Sequence, residues 1–250
     1  MELGYFLHAR AFQESSVLLD CFTRDSGIVS CIAKGAKRPK SAWRGLVQPF
    51  ILVNIDYRGR GEVKTIVQLE AEKILPCLSG KKVLIGMYLN EILLKLVQRN
   101  DPNPELFHSY HETLGFIARA DADIDMQYQL RLFECQLLRS LGFGIDFLHD
   151  MHGHAIVEDV VYGYDPERGF FPQNVLPQSK QLITISGAVI IALAHQVRYK
   201  DEHQMLEAKK FMRFVIAHHL GPRILNTRKL FTRIQQENKN DIIEADSIRG

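Results

Sequence analysis

Tryptophan is nearly missing from this chain of 250 residues, occurring once, at Trp43. Cysteine is sparse: Cys21, Cys31, Cys77 and Cys135. None is paired as CxxC and each stands among apolar neighbours. Neither a disulfide framework nor a metal site is therefore expected, and the four read as buried thiols. Long hydrophobic runs are lacking as well. The best candidate, residues 182–194, is shorter than the roughly 18 apolar residues of a membrane span and carries Thr184, Ser186 and Gly187. The N-terminus MELGYFLHAR has no basic stretch followed by an apolar run, so no signal peptide is expected. Enzyme signatures are absent too: no GxxxxGK(S/T), no strand–GxGxxG–helix, no HExxH, no GxSxG. Asp20, Asp25 and Asp56 have no spacing that pairs them for acid–base work. The expectation is a non-catalytic protein without a cofactor. Disorder as a whole is excluded by 46% apolar and 24% charged residues.

What the chain does have is unevenly placed charge. The net charge is only +2, yet between Lys34 and Lys64 eight basic residues face two acids, Asp56 and Glu62. The basic residues are Lys34, Lys37, Arg38, Lys40, Arg44, Arg58, Arg60 and Lys64. Clustered Lys and Arg are the footprint of a polyanion partner, because neutralising phosphates releases their counterions. A merely solvated surface is the competing reading.

The first 75 or so residues alternate with a period of two, as in Val17-Leu18-Leu19-Asp20-Cys21 and Val53-Asn54-Ile55-Asp56-Tyr57. Turn residues divide them into five strands, near 4–9, 15–23, 27–34, 48–58 and 62–73, with Gly59-Arg60-Gly61 at a hairpin tip. Five short strands with one long basic connection fit a closed barrel, of the OB or the SH3-like type. Past Pro76 the period changes. Residues 81–98, 103–119 and 125–141 read as helices. Residues 143–180 are irregular, and helices are expected from Ser186 to about 197, from Asp201 or Glu202 to about 219, and over 227–234. From Gln235 the tail is polar.

Three constellations could carry chemistry. Trp43 lies between Lys40 and Arg44 in the basic connection; it either stacks on an unpaired base or plugs the barrel end. Lys209, Lys210 and Arg213 lie beside Phe211 and Phe214, followed by Arg228-Lys229-Leu230-Phe231. This is either a rim for an acidic, apolar-ended peptide or an ordinary amphipathic helix. His149, His152 and His154, near Glu158 and Asp159, could space imidazoles for zinc, but no cysteine accompanies them and surface histidines are expected.

An ordered series of residues resembles the RecO family. It includes Leu7-His8, Glu14-Ser15-Ser16, Phe22-Thr23-Arg24, Ala33-Lys34-Gly35-Ala36, Gln48-Pro49-Phe50 and Gly59-Arg60-Gly61-Glu62. It continues through Tyr88-Leu89-Asn90-Glu91, Arg131-Leu132-Phe133-Glu134, Leu141-Gly142-Phe143 and Arg228-Lys229-Leu230-Phe231. The resemblance implies an α+β multi-domain chain: an N-terminal five-stranded OB-fold barrel over 1–79, then an α-helical domain over 80–250. Within the latter, 143–180 would be a zinc-finger-like irregular insertion; it has no cysteine, so no metal carries over. The implied role is a non-catalytic recombination mediator of the RecF pathway in the cytoplasm, at the nucleoid. It would bind single- and double-stranded DNA, anneal complementary strands, and work with RecR and the single-strand-binding protein to help load the recombinase. Arg131 matches a basic family position on the helical domain, where the acidic tail of the single-strand-binding protein docks. Lys209, Lys210 and Arg213 are added as candidates for the same peptide. An OB-type RNA-binding protein and a protein–protein adaptor are the alternatives.

Overall fold

Alternating side chains in the first strands put one set inside a closed barrel and leave the other outside. In a computed structural model, residues 1–73, 78–172, 182–227 and 229–231 are described; Cys77, Arg228 and the expected tail from Gln235 lie outside them. The strands are β1 (Glu2–Phe12), β2 (Ser16–Thr23), β3 (Gly27–Ala33), β4 (Leu52–Arg58) and β5 (Val63–Lys73), joined in the order β1-β2-β3-β5-β4. The β3–β5 pairing is parallel and the others antiparallel. This is the five-stranded OB-like barrel the pattern and the resemblance suggest. Its core holds Phe6, Leu19, Cys21, Val29, Cys31, Val53, Ile55 and Ile66. β1 runs on to Phe12, past its expected end, and β4 begins at Leu52 instead of residue 48. The delay has a local cause: Pro49 has no N–H for a ladder and Phe50 sits at φ +70°.

The chain divides into two compact units, one of Met1–Asn103 with the chain from Pro222, the other of Pro104–Gly221. In the first, α1 (Lys81–Leu96) buries Ile85, Leu89, Ile92 and Leu93 and packs along β1. A bulge between Phe6 and His8 interrupts the β1–β2 ladder, and the Leu7 carbonyl accepts from Asn90 Nδ2 at 2.9 Å. At Gly27 φ is +70°, and a Cβ there would stand 2.3 Å from the Asp101 carbonyl oxygen, so this turn admits only glycine. The returning chain is fixed to α1 by Glu91, whose carboxylate accepts from Asn226 N (2.7 Å), Thr227 N (2.9 Å) and Thr227 Oγ1 (2.7 Å).

The second unit contains α2 (Pro104–Arg119), α3 (Asp123–Ser140), α4 (Gly187–Ala194) and α5 (Glu202–Leu220). A three-stranded sheet is formed by β6 (Val161–Asp165), β7 (Gly169–Pro172) and β8 (Ile183–Ser186) in the order β7-β6-β8; β6 and β7 fall within the stretch 143–180 that reads as irregular, and β8 follows it. Phe170, Ile185, Val189, Ala208, Phe211 and Val215 form its core. Asp201 caps α5 by accepting from Gln204 N at 2.8 Å, and Gly221 ends it, as the sequence signals.

Candidate nucleic-acid interface

Both basic segments are anchored at β3. Lys34 follows its last residue, and the next sixteen residues run as consecutive turns. Lys37 N donates to Ser15 O at 2.9 Å, tying the connection to the β1–β2 turn; Ser41 N donates to Arg38 O and Arg44 N to Ser41 O. These bonds hold Lys34, Lys37, Arg38, Lys40 and Arg44 exposed. Trp43 turns back, half-buried against the barrel core with Leu46 and Val47, whose N–H groups both donate to Trp43 O. The second basic segment is the β4–β5 hairpin. Its β5 side lies along β3 through Ser30↔Val63, Cys31↔Lys64 and Ile32↔Thr65. Arg58 and Arg60 are exposed there, while Lys64 is half-buried with its ammonium donating to Gly59 O at 3.0 Å. Among the described residues, Lys34, Lys37, Arg38, Lys40, Arg44, Arg58 and Arg60 form no ion pair.

The register adds further outward positions to these cations. Arg10 pairs with Leu18, Leu18 with Ile32, Ile32 with Thr65, and Thr65 with Arg58. Directly paired residues point to the same side of a sheet. The alternating neighbours Ala9, Leu19, Cys31, Ile66 and Tyr57 face the core, so this row faces out. Phe12 is the next outward residue of β1, 36% exposed. In the neighbouring outward row of the same face, Arg99 donates to Asp20 Oδ1 at 2.8 Å and to Ser30 Oγ at 2.7 Å.

The peptide-site residues are not brought together as expected. Arg131 is inside: its Nη2 bonds Glu134 Oε1 at 2.9 Å, and the two side chains are 5% and 1% exposed. Its other terminal nitrogen reaches Lys209 O at 3.5 Å. The guanidinium thus joins α3 to α5 from a buried position. Lys209 is half-buried, while Lys210 and Arg213 are exposed on α5. None of these lines the groove of about 630 Å³ bordered by Glu105, His108, Leu132, Arg139, Phe147 and Leu193. The histidines belong to turns built by carboxylates. Asp150 Oδ1 accepts from His152 N and His154 N, both at 2.9 Å, and Asp146 Oδ1 accepts from Leu148 N and His149 N. Among the described residues no group of three or more His, Cys, Asp or Glu could hold a metal ion. Nor is any described helix long and apolar enough to cross a membrane.

Comparison with known proteins bears on the same regions. Residues 2–75 match the family described as Recombination protein O N terminal, and residues 78–229 match Recombination protein O C terminal. The chain belongs to the RecO family. The DNA repair protein RecO of Psychromonas ingrahamii is 37% identical over 230 residues, covering 92% of this chain and 96% of the relative. That of Dechloromonas aromatica is 35% identical over 233 residues, covering 93% and 95%. That of Haemophilus influenzae is 34% identical over 234 residues, covering 93% and 96%. Membership in the RecO family assigns the chain a role in DNA repair and recombination.

Proposed function

We propose that this protein is a non-catalytic, DNA-binding recombination mediator of the RecF pathway, acting at the nucleoid. It binds single- and double-stranded DNA through the barrel and anneals complementary strands. With RecR and the single-strand-binding protein it helps load the recombinase. The observation that carries the reading is the set of exposed cations around β3 with no carboxylate partner among the described residues. Lysines and arginines left unneutralised on adjoining loops attract phosphates without reading bases, which suits a protein that must act on any strand. On the helical unit, Lys210 and Arg213, both exposed on α5, are the candidates to meet the carboxylates of an acidic tail.

The test is charge reversal of Lys37, Arg38 and Arg44 together, read as the slope of log affinity against log salt on single-stranded DNA. Each lost phosphate contact flattens that slope by about 0.7, so the triple variant should be shallower by about 2 and weaker at low salt. Wild-type affinity and slope in a folded triple variant would overturn the reading.

A further inference from the structure

We infer that the outer face of the barrel, across β1, β2, β3, β5 and β4, is a base-contacting track for unpaired DNA, with Phe12 as its stacking platform. The inference rests on the proposed DNA binding and adds to it what phosphate contact cannot give, preference for a single strand over a duplex.

The track is the row Arg10–Leu18–Ile32–Thr65–Arg58, read across five strands. Strands lie about 4.8 Å apart, so the row spans at most roughly 19 Å, the reach of a few nucleotides. An arginine stands at each end, both exposed and without an ion pair among the described residues. Between them Leu18, Ile32 and Thr65 are only half-buried. Phe12 is 36% exposed, Val63 and Val67 43% each. With the half-buried Leu18 and Ile32 between them in the pairing order, these side chains leave apolar surface on the outer face for a ligand to cover.

Its chemistry selects the occupant. Apolar side chains and one aromatic ring reward flat, unstacked bases; the flanking guanidiniums hold the phosphates on either side. A duplex keeps its base faces stacked inside and can use only the cations. An apolar protein partner would leave Arg10, Arg58 and Lys34 uncompensated. Of the carboxylates on this face, Asp20 is already held by Arg99 at 2.8 Å and does not repel a phosphate, while Asp56 stands two residues from Arg58 on β4. Glu14 and Glu62 lie in the two flanking turns. Trp43, half-buried against the barrel core, is the less available ring.

Full-length protein is titrated against a labelled oligothymidine of about 20 nucleotides and against a blunt hairpin duplex. Phe12→Ala should weaken oligothymidine binding about tenfold while the duplex changes less than about twofold, since one stacked base accounts for an effect of this size. Phe12→Trp should restore binding, and in a Trp43→Phe background its fluorescence should be quenched by the oligonucleotide. Arg10→Ala should weaken both DNAs. If Phe12→Ala binds oligothymidine like wild type, or loses both DNAs equally, the track is wrong. Should the charge-reversed triple variant weaken while Phe12 and Arg10 variants do not, DNA binding stands, this inference falls, and the face belongs to a protein partner. If the wild type binds neither DNA, the proposed function fails first.

Discussion

A guanidinium and a carboxylate withdrawn from water depend on each other, and Arg131 with Glu134 is such a pair. Bringing two charges inside costs several kcal/mol each, repaid only when they meet. Removing one leaves the other stranded. Glu134→Gln or Arg131→Leu is expected to cost about 3–5 kcal/mol in urea unfolding followed by far-UV circular dichroism, while the double change to apolar residues recovers most of it. Single variants within about 1 kcal/mol of wild type would contradict this. The pair was readable in the sequence as a packing feature. The buried positions of α3 include Gln127, Leu130, Arg131, Glu134, Leu137 and Leu138, at helical spacing. An Arg and a Glu three apart inside an apolar stripe signal an internal pair. Phe12 was missed for a different reason. The outward series His8, Arg10, Phe12 is plain, but Ala9 and Ala11 are weak inward markers, so the alternation does not carry the expected strand past residue 9.

At the scale of elements, the irregular stretch ahead of β6 shows how a polar residue can be misread by its neighbours. The three histidines attract attention, yet Asp150 organises the turn. Its side chain is 4% exposed, and its carboxylate accepts from two N–H groups and faces His154 Nδ1 at 3.3 Å. Burial pushes this carboxyl up, but those hydrogen bonds outweigh it and hold it below the ordinary aspartate range. The sign follows. A carboxyl depressed in the folded state stabilises fully above its unfolded value, near pH 4, and that stability is lost as pH falls through the lower folded value. Asp146 is depressed likewise, against its own burial, by the Leu148 and His149 bonds. The expected result is that Asp150→Asn lowers stability at neutral pH and that the gap to wild type narrows below about pH 4. Urea midpoints at stepped pH check it, and parallel profiles would refute it. Barrel strands were legible because alternation is a strong local signal. The start of β4 was not, because Pro49 and the positive φ of Phe50 interrupt a run that looks extended by composition.

Across the whole molecule, the change from strand to helix near residue 79 is a change of composition, whereas the compact units divide at Asn103 and again at Gly221. No local pattern announces that α1 belongs with the barrel or that the chain comes back to it; that depends on Glu91 meeting residues more than 130 positions away. Three donors to one partly buried carboxylate, with Leu225 and Thr227 each 4% exposed, make the return a clamp. Ending the chain at Gly221 strips them all. Charge-assisted hydrogen bonds and a buried leucine together are worth about 3–5 kcal/mol, which lowers the melting point of a unit this size by roughly 10 °C or more. The protein carries its own reporters. The single tryptophan, Trp43, is in the barrel unit, while α2, α3, α4 and α5 give the second unit most of the helical signal. Truncation should therefore move the fluorescence midpoint well below the circular-dichroism midpoint at 222 nm, with Glu91→Gln producing a smaller shift of the same kind. Midpoints that fall together would mean that the two units unfold as one, and that the clamp serves both.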